Sequence, residues 1–501
     1  MQEARLSKFL THPWRRLLIR GLNLVHRYVF AASIALGLTV GLACDRFTAE
    51  RCAGDACFFS KREWLLLGSL TGVPEAPPDP SNKYALDPAA AALGHAFFFD
   101  PKFSGFASQV DRLDRPKPYA RAPKGQAINI SCASCHNPAR AAIDDTSTPR
   151  HVAIGAGWHY LNATSLMNTA HWQVYSLTGR ADSLWDLGMA VITGVAMGSN
   201  RIHVARRVMD AYRAEYEALF PEYPLPLSIT ATDGDPGKKP GCQAGDVTEP
   251  FGDAFDCLQP AEQEAVTRTC VNWAKAIAAY EYLLRSDHSR FDLFMAEGPD
   301  SPRLSAAEKR GAKLFVGKAN CVDCHSGPLL TDQGFHNIGV PQLGDAVPTE
   351  AECVAGSVCD CVNGTSCLPW GEYEGLQRLQ NADRFRRDSK WSDDPGDASR
   401  AAIYEKPLDD TMKGRWRTPS LRDIALTAPY MHDGIYETLD DVVWHYHLGG
   451  APSGPFAGEI DPLIAPLHLS AQEQADLVAF LQTLTGEPLP KEIAQEPVLP
   501  P

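Results

Sequence analysis

The chain has 501 residues, 44% of them hydrophobic and 22% charged, which is enough for roughly two or three folded domains with a large core. Its formal net charge is -14. A chain this acidic repels polyanions, so the composition excludes nucleic acid as a class of partner.

The first 44 residues have the layout of an export signal. Residues 1–43 contain six Lys/Arg and one acidic residue, and the run Tyr28–Cys44 is apolar. A basic stretch followed by a short apolar one is typical of a signal sequence, and this run is at the lower limit of what spans a bilayer. Gly41-Leu42-Ala43-Cys44 is similar to a lipoprotein cleavage site, although an uncleaved anchor or an ordinary cleavage nearby remains open. We therefore predict a periplasmic protein that is either released or held at the membrane by its N-terminus.

Composition and periodicity divide the chain into segments. They are a signal sequence or anchor (1–44), a Pro-rich linker (45–82), an N-terminal domain (83–221), a Cys-containing loop with a connecting helix (222–303), a C-terminal domain (304–486) with a Cys-rich insertion (347–397), and a Pro/Glu-rich tail (487–501). The tail is expected to be loose because it has few residues able to form a core. The insertion is either a surface for partner docking or a disulfide-stabilised decoration.

Helix signals dominate the sequence, and strand-like alternation is scarce. Capping boxes predict helices that begin at Ser305 and Ser470, and Thr438 with Asp441 predicts another. A weak repeat is visible as well, because the similar stretches 92–98 and 310–315 each precede a Cys-x-x-Cys-His motif. The fold class predicted is mainly α with long loops and little β.

The two Cys-x-x-Cys-His motifs carry the strongest chemical signal. They are Cys132-Ala133-Ser134-Cys135-His136 and Cys321-Val322-Asp323-Cys324-His325. Two thiols add to the two vinyl groups of a haem, and the adjacent His binds the iron from the same side. A zinc ribbon would place its Cys pairs about 15–20 residues apart, which does not match the separation here. We therefore predict two covalently attached haem c groups, with His136 and His325 as proximal ligands, in two tandem cytochrome c-like domains.

The remaining cysteines fit an oxidising compartment. Local spacing predicts disulfides between Cys52 and Cys57 and between Cys242 and Cys257. A cluster of four could form two bridges in three connectivities: Cys353, Cys359, Cys361 and Cys367. Cys270 falls in a helical pattern and is predicted to be a buried thiol.

The two modules resemble the bacterial di-haem cytochrome c peroxidases and MauG. The resemblance covers most of residues 83–486, and outside the haem motifs it is most specific at 417–422 and 427–434. It implies a calcium ion between the haems, held by Asn162, Thr427 and Pro429, which can all supply oxygen ligands. It also implies that the sixth ligand of the second haem is Tyr446, fourteen residues after His432. Peroxidases of this family usually have Met at that position, and MauG has Tyr. Met431 is the other candidate ligand, and a haem with no side-chain sixth ligand is the third alternative.

The family pattern breaks on the distal side of the first haem, where the resemblance places peroxide chemistry. The His ligand is replaced by Ala156, the catalytic Glu by Ala196, and the Trp between the haems by Leu177. The nearby Gln is missing too, and its place falls near Asp186 or Leu187. Candidate substitutes for proton transfer are His151, His159, His171 and Asp186. An iron opposite Ala156 is expected to be open, yet slow with peroxide, because Ala196 cannot move a proton.

The resemblance implies an oxidoreductase that reduces hydrogen peroxide at the first haem. Electrons would come through the second haem from a cytochrome c or copper-protein donor. Two alternatives remain: a MauG-like enzyme that oxidises residues of a partner protein, which Tyr446 favours, and a non-enzymatic electron carrier or haem-based sensor, which the missing distal residues favour.

Overall fold

A computed structural model describes residues 58–107, 122–123, 125–144, 154–157, 161–194, 196–229, 255–343, 359–362, 366–381 and 385–501. Residues 61–501 form one compact unit. Its α-helices are α1 Lys61–Gly68, α2 Pro88–Phe99, α3 Leu184–Ile192, α4 Arg201–Ala211, α5 Arg213–Leu219, α6 Pro260–Glu281, α7 Arg290–Glu297, α8 Ala306–Phe315, α9 Glu372–Asn381, α10 Ala401–Tyr404, α11 Leu439–Leu448, α12 Ala471–Leu481 and α13 Lys491–Ala494. Short strands are β1 Phe335–His336, β2 Cys359–Val362, β3 Ser366–Pro369 and β4 Trp416–Arg417. This part of the chain is therefore mainly helical with little sheet, as the sequence predicts.

The helix starts predicted from capping boxes are confirmed. Ser305 caps α8, Thr438 caps α11 and Ser470 caps α12, and each accepts a hydrogen bond from the backbone N–H three residues later. In each case the carboxylate of that third residue accepts a hydrogen bond from the backbone N–H of the capping residue. Two otherwise unpaired N–H groups are thereby satisfied at each helix start. Among the described residues, no helix is long and apolar enough to cross a membrane.

Both haem motifs follow a helix that packs against a later helix through a glycine. A Cβ added to Gly94 of α2 would lie 1.8 Å from the carbonyl oxygen of Ala276 in α6. A Cβ added to Gly311 of α8 would lie 1.9 Å from the carbonyl oxygen of Asp476 in α12. Only glycine permits so close an approach of two backbones. The two stretches that are similar in sequence therefore also pack in the same way, through a glycine that contacts the backbone of a later helix.

Helix α6 is the central element of the N-terminal half. Its apolar face, including Trp273 and Ile277, belongs to one buried cluster with Phe97, Phe98 and Trp185. Helix α6 lies inside the segment predicted to connect the two domains (222–303). The periodic apolar residues of α6 face the core because α2, α3 and α4 surround it.

Part of the Cys-rich insertion is fixed to the N-terminal half by buried ion pairs. Lys275 is fully buried, and its Nζ lies 2.7 Å from a carboxylate oxygen of Asp393 and 2.9 Å from the carbonyl oxygen of Trp391. Arg387 pairs with Asp79 and Asp397 at 2.8 and 2.7 Å. Breaking one partner of such a pair leaves a buried charge that costs about 3–5 kcal/mol. Residues 385–397 are thus an integral part of the fold.

The tail 487–501 differs from its prediction as a loose segment. It forms α13, and it is tied to the N-terminal half by side-chain hydrogen bonds to its carbonyl oxygens. These bonds come from His95 to Gln495, Tyr280 to Ile493, and Arg207 to Pro500 and Pro501. The hydrogen bonds that hold the tail come from side chains elsewhere in the chain. The composition of the tail therefore does not reveal that it is ordered. A second difference is α1, which lies inside the predicted linker.

The structure describes only some of the cysteines for which the sequence predicts a state. Cys257 and Cys367 are both disulfide-bonded. Strands β2 and β3 pair with Cys361 opposite Cys367. Cys270 is buried, and its thiol donates to the carbonyl oxygen of Arg201 at 3.1 Å, as expected for a buried thiol. The remaining predicted disulfide cysteines lie outside the residues whose side chains are described: Cys52, Cys57, Cys242, Cys353, Cys359 and Cys361.

Candidate haem sites

Each Cys-x-x-Cys-His motif begins with one 3-10 turn. The turns are Cys132–Ser134 and Cys321–Asp323. In both, the backbone N–H of the motif histidine donates to the carbonyl oxygen of the first cysteine at 2.9 Å. This turn keeps the two sulfur atoms and the imidazole of one motif close together, as attachment to a single haem requires.

The two motif histidines are oriented in the same way. His136 Nδ1 lies 3.3 Å from the carbonyl oxygen of Ala142, and His325 Nδ1 lies 3.0 Å from that of Leu330. Both acceptor residues have left-handed backbone, with φ of 52° and 54°. Burial lowers the pKa of both imidazoles, which favours the neutral form. With Nδ1–H donated to a carbonyl group, Nε2 keeps its lone pair for a metal ion.

A cavity of about 410 Å³ surrounds the second motif. The haem-attaching and candidate ligand residues among its lining are Cys321, Cys324, His325, Met431 and Tyr446. Much of the remaining wall is apolar. Two thiols, an oriented imidazole and an apolar wall suit a haem c group, and the volume is within the range of about 300–1,000 Å³ for cofactor sites.

Tyr446 reaches this cavity from α11. Its pKa is raised by burial and, secondarily, by the sulfur atoms of Cys321 and Cys324 nearby. The neighbouring histidines fix the helix, since His445 lies 2.9 Å from the carbonyl oxygen of Ile338 and His447 accepts from the backbone N–H of Leu469 at 3.0 Å. Met431 lines the same cavity with a positive φ of 73°. The structure thus places both candidate sixth ligands at the second haem site.

The three residues predicted to hold calcium all line the same cavity. The side-chain nitrogen of Asn162 lies 2.6 Å from the carbonyl oxygen of Pro429, and the backbone N–H of Asn162 donates to His432 O at 2.7 Å. Thr427 lines the cavity beside them. The O and N of an amide side chain can exchange places by a rotation, so Asn162 can turn its oxygen toward a cation. The residues present therefore fit a hard metal ion held by oxygen atoms.

The tertiary structure brings together Ala156 and Ala196, the two residues that the resemblance assigns to the distal side of the first haem. The backbone N–H of Ala156 donates to the carbonyl oxygen of Ala196 at 3.2 Å. Added Cβ atoms would collide at Gly155, 1.7 Å from Ala196 O, and at Gly198, 2.3 Å from Ala156 Cβ. Both alanines belong to or pack against the buried cluster that also contacts Cys132. Ala156 and Ala196 are therefore packed together through backbone and methyl groups, and neither side chain can ligate iron or carry a proton.

Asp186 is buried near a second carboxylate. Its Oδ2 accepts a hydrogen bond of 3.3 Å from the backbone N–H of Asp182, whose own carboxylate accepts from Tyr404 and from the N–H of Arg387. Burial and then the charge of Asp182 raise the pKa of Asp186 well above its ordinary value. Asp186 is therefore able to hold a proton. His151 and His159 lie outside the described residues.

Two groups at the second haem site were not predicted as functional. His336 lines the cavity between Asp332 and Asp461, at 2.9 and 2.8 Å, and its hydrogen bond to Asp332 is the main reason its pKa rises to about 11. Arg417 is fully buried at the same cavity. Arg417 begins the segment 417–422, but it is buried against Trp172 and Ser176, more than 200 positions away, so no local sequence signal reveals its burial.

A helical chain with two oriented Cys-x-x-Cys-His motifs and a cavity that fits haem belongs to the class of di-haem c-type cytochromes. A family model described as di-haem cytochrome c peroxidase matches residues 88–235. Cytochrome-c peroxidase IdrP1 of Denitromonas iodatirespirans is 30% identical, over 93% of this chain and 96% of its own. Methylamine utilization protein MauG of Methylorubrum extorquens is 28% identical, over 85% and 86%. The crystal structure of a MauG-like protein associated with microbial copper homeostasis is similar with a TM-score of 0.52 and 25% identity, over 85% and 98%.

The chain therefore belongs to the di-haem cytochrome c peroxidase and MauG family. Members of this family hold two haem c groups, and the two motif sites fit that number.

Proposed function

We propose that this protein reduces hydrogen peroxide at the first haem, the one attached to Cys132 and Cys135. One peroxide takes two electrons and two protons and gives two molecules of water. The observation that carries the proposal is the pairing of Ala156 with Ala196, because at the two positions where the resemblance implies a distal His and a catalytic Glu this chain has only methyl groups, which cannot ligate iron. The relatives named cytochrome-c peroxidases support the same chemistry.

The haem iron would supply the redox chemistry when bound, and the chain's own residues set the conditions for it. His136 is held as a neutral ligand by its bond to the Ala142 carbonyl group. Ala156 itself supplies no side-chain ligand. Asp186, whose pKa is raised, is a described carboxyl group able to hold a proton at neutral pH.

The electrons would enter through the second haem from a small redox protein, a cytochrome c or a copper protein. We place this reaction in the periplasm, with Cys44 as a possible point of lipid attachment. The disulfide bonds of Cys257 and Cys367 fit such an oxidising compartment.

Spectra of the purified ferric protein, with and without peroxide, test this proposal. Cyanide should bind the first haem without prior reduction, and peroxide should change that haem's spectrum. With a reduced donor cytochrome present, two donor molecules should be oxidised for each peroxide consumed. A ferric protein with two low-spin haems that binds no cyanide and ignores peroxide would contradict the proposal and favour an electron carrier.

Oxidation of a partner protein is the second candidate function, and Tyr446 at the second haem cavity favours it. A phenolate ligand stabilises ferric and higher states, so such a haem stores oxidising equivalents better than it accepts electrons. The same spectra distinguish the two functions. Peroxide-oxidised protein that persists with a small donor, but decays with a protein substrate, would favour partner oxidation.

We also propose that Asn162, Thr427 and Pro429 bind one calcium ion between the halves of the protein. Metal analysis should find one calcium per chain, and removal by a chelator should slow electron transfer between the haems. Asn162→Ala should lose the ion. Magnesium should not restore the rate, since it requires a tighter octahedral shell. Protein that contains no calcium and is unchanged by chelation would refute this site.

A further inference from the structure

Arg417 is a buried cation that has no carboxylate partner among the described residues. It is 1% exposed. Its Nε donates to the carbonyl oxygen of Ser176 at 3.0 Å, and its guanidinium carbon lies 3.6 Å from the ring centre of Trp172. Neither terminal nitrogen, Nη1 or Nη2, has a hydrogen-bond partner within the described residues. Burial lowers the pKa of Arg417 to about 9.

Trp172 also has a buried N–H group, at Nε1, without a hydrogen-bond acceptor in the part of the chain that the structure describes, and it lines the cavity of the second motif. Both residues line the cavity that contains Cys321, Cys324 and His325. Three donor nitrogens in this cavity, two of Arg417 and one of Trp172, therefore have no acceptor among the described residues.

Arg422, in the same sequence motif, shows how this fold treats a buried arginine that has a protein partner. It is 2% exposed, and its two terminal nitrogens pair with the two carboxylate oxygens of Asp292. An unpaired buried charge costs several kcal/mol, so Arg417 is expected to have an anion that the polypeptide does not supply. Haem carries two carboxylates, its propionates, and the cavity contains a haem attachment motif.

We propose that Arg417 and Trp172 bind a propionate of the second haem. Arg417 belongs to β4 in the C-terminal half, while Trp172 and Ser176 belong to the N-terminal half, so the contact also joins the two halves around the cofactor. A guanidinium group holds a carboxylate through paired hydrogen bonds, and the indole N–H adds a third donor. The inference rests on haem being attached at Cys321 and Cys324, which does not depend on the reaction proposed above.

The test compares Arg417→Gln with Arg415→Gln in holoprotein. Arg415 lies two residues earlier with a side chain 37% exposed, so it controls for the loss of one charge. Arg417→Gln should lower the midpoint potential of the second haem, because an uncompensated propionate stabilises ferric iron. It should also shift the propionate bending band in the resonance Raman spectrum. Arg415→Gln should change neither.

Trp172→Phe keeps an aromatic ring beside Arg417 but removes the indole N–H together with the five-membered part of the ring, so it should shift the same Raman band by a smaller amount. It decides the matter if Arg417→Gln does not fold. An unchanged potential and Raman band in the folded variants would overturn the proposal. A wild-type potential that follows added inorganic phosphate, while that of Arg417→Gln does not, would overturn it too, because the site would then bind a solution anion. Haem staining of denatured protein reports haem attachment separately, and peroxide turnover reports the proposed function.

Discussion

Tyr446→Met should raise the midpoint potential of the second haem. A thioether ligand favours ferrous iron, whereas a phenolate favours the ferric state. Axial ligands and their surroundings move haem potentials over about 0.8 V, so this should be the largest shift among single substitutions in the cavity. Spectroelectrochemical titration measures the shift, and the ferric absorption spectrum should lose its phenolate character.

Tyr430→Phe is the matched control for Tyr446→Met. Tyr430 lines the same cavity, but its hydroxyl donates to the carbonyl oxygen of Ile424 at 3.0 Å. The loss of that hydroxyl should leave the potential of the second haem nearly unchanged. Met431→Leu tests the other candidate ligand. A lowered potential in Met431→Leu, with no change in Tyr446→Met, would show that Met431 is the ligand.

Ala196→Glu should accelerate the reaction of the ferric first haem with peroxide by about 10²–10⁴-fold, the usual contribution of a general acid–base group. The carbonyl oxygen of Ala196 accepts a hydrogen bond from the backbone N–H of Ala156, so Ala196 lies next to the other residue that the resemblance assigns to the distal site. Stopped-flow absorbance after mixing with peroxide measures the rate. Ala196→Gln has similar size without a titratable group, and it should stay slow.

Rapid peroxide reaction by the unmodified protein would contradict the premise that the distal site lacks a proton carrier. Asp186→Asn then identifies the substitute, because Asp186 is a buried carboxyl with a raised pKa at the approximate position of the missing Gln. A loss of rate in Asp186→Asn would assign the role to Asp186. An unchanged rate would direct attention to His151 and His159.

The sequence alone determined the features whose chemistry is local. Two Cys-x-x-Cys-His motifs need five consecutive residues to define a haem site, and the capping boxes at Ser305, Thr438 and Ser470 need four. The resemblance to the family also predicted Tyr446 as a candidate ligand, because its spacing from His432 is short. The structure places Tyr446 at the predicted haem cavity.

Only the tertiary structure decided which distant residues meet and what they lack. Asn162 contacts Pro429 across 267 positions, and Arg417 reaches Ser176 across 241. The order of the tail depends on donors such as Tyr280, far from it in sequence. The pKa of Arg417 is lowered by desolvation, and its two terminal nitrogens have no hydrogen-bond partner among the described residues. Both are properties of the packed environment. A linear motif records which groups a chain carries, whereas burial and pairing decide their charge and use.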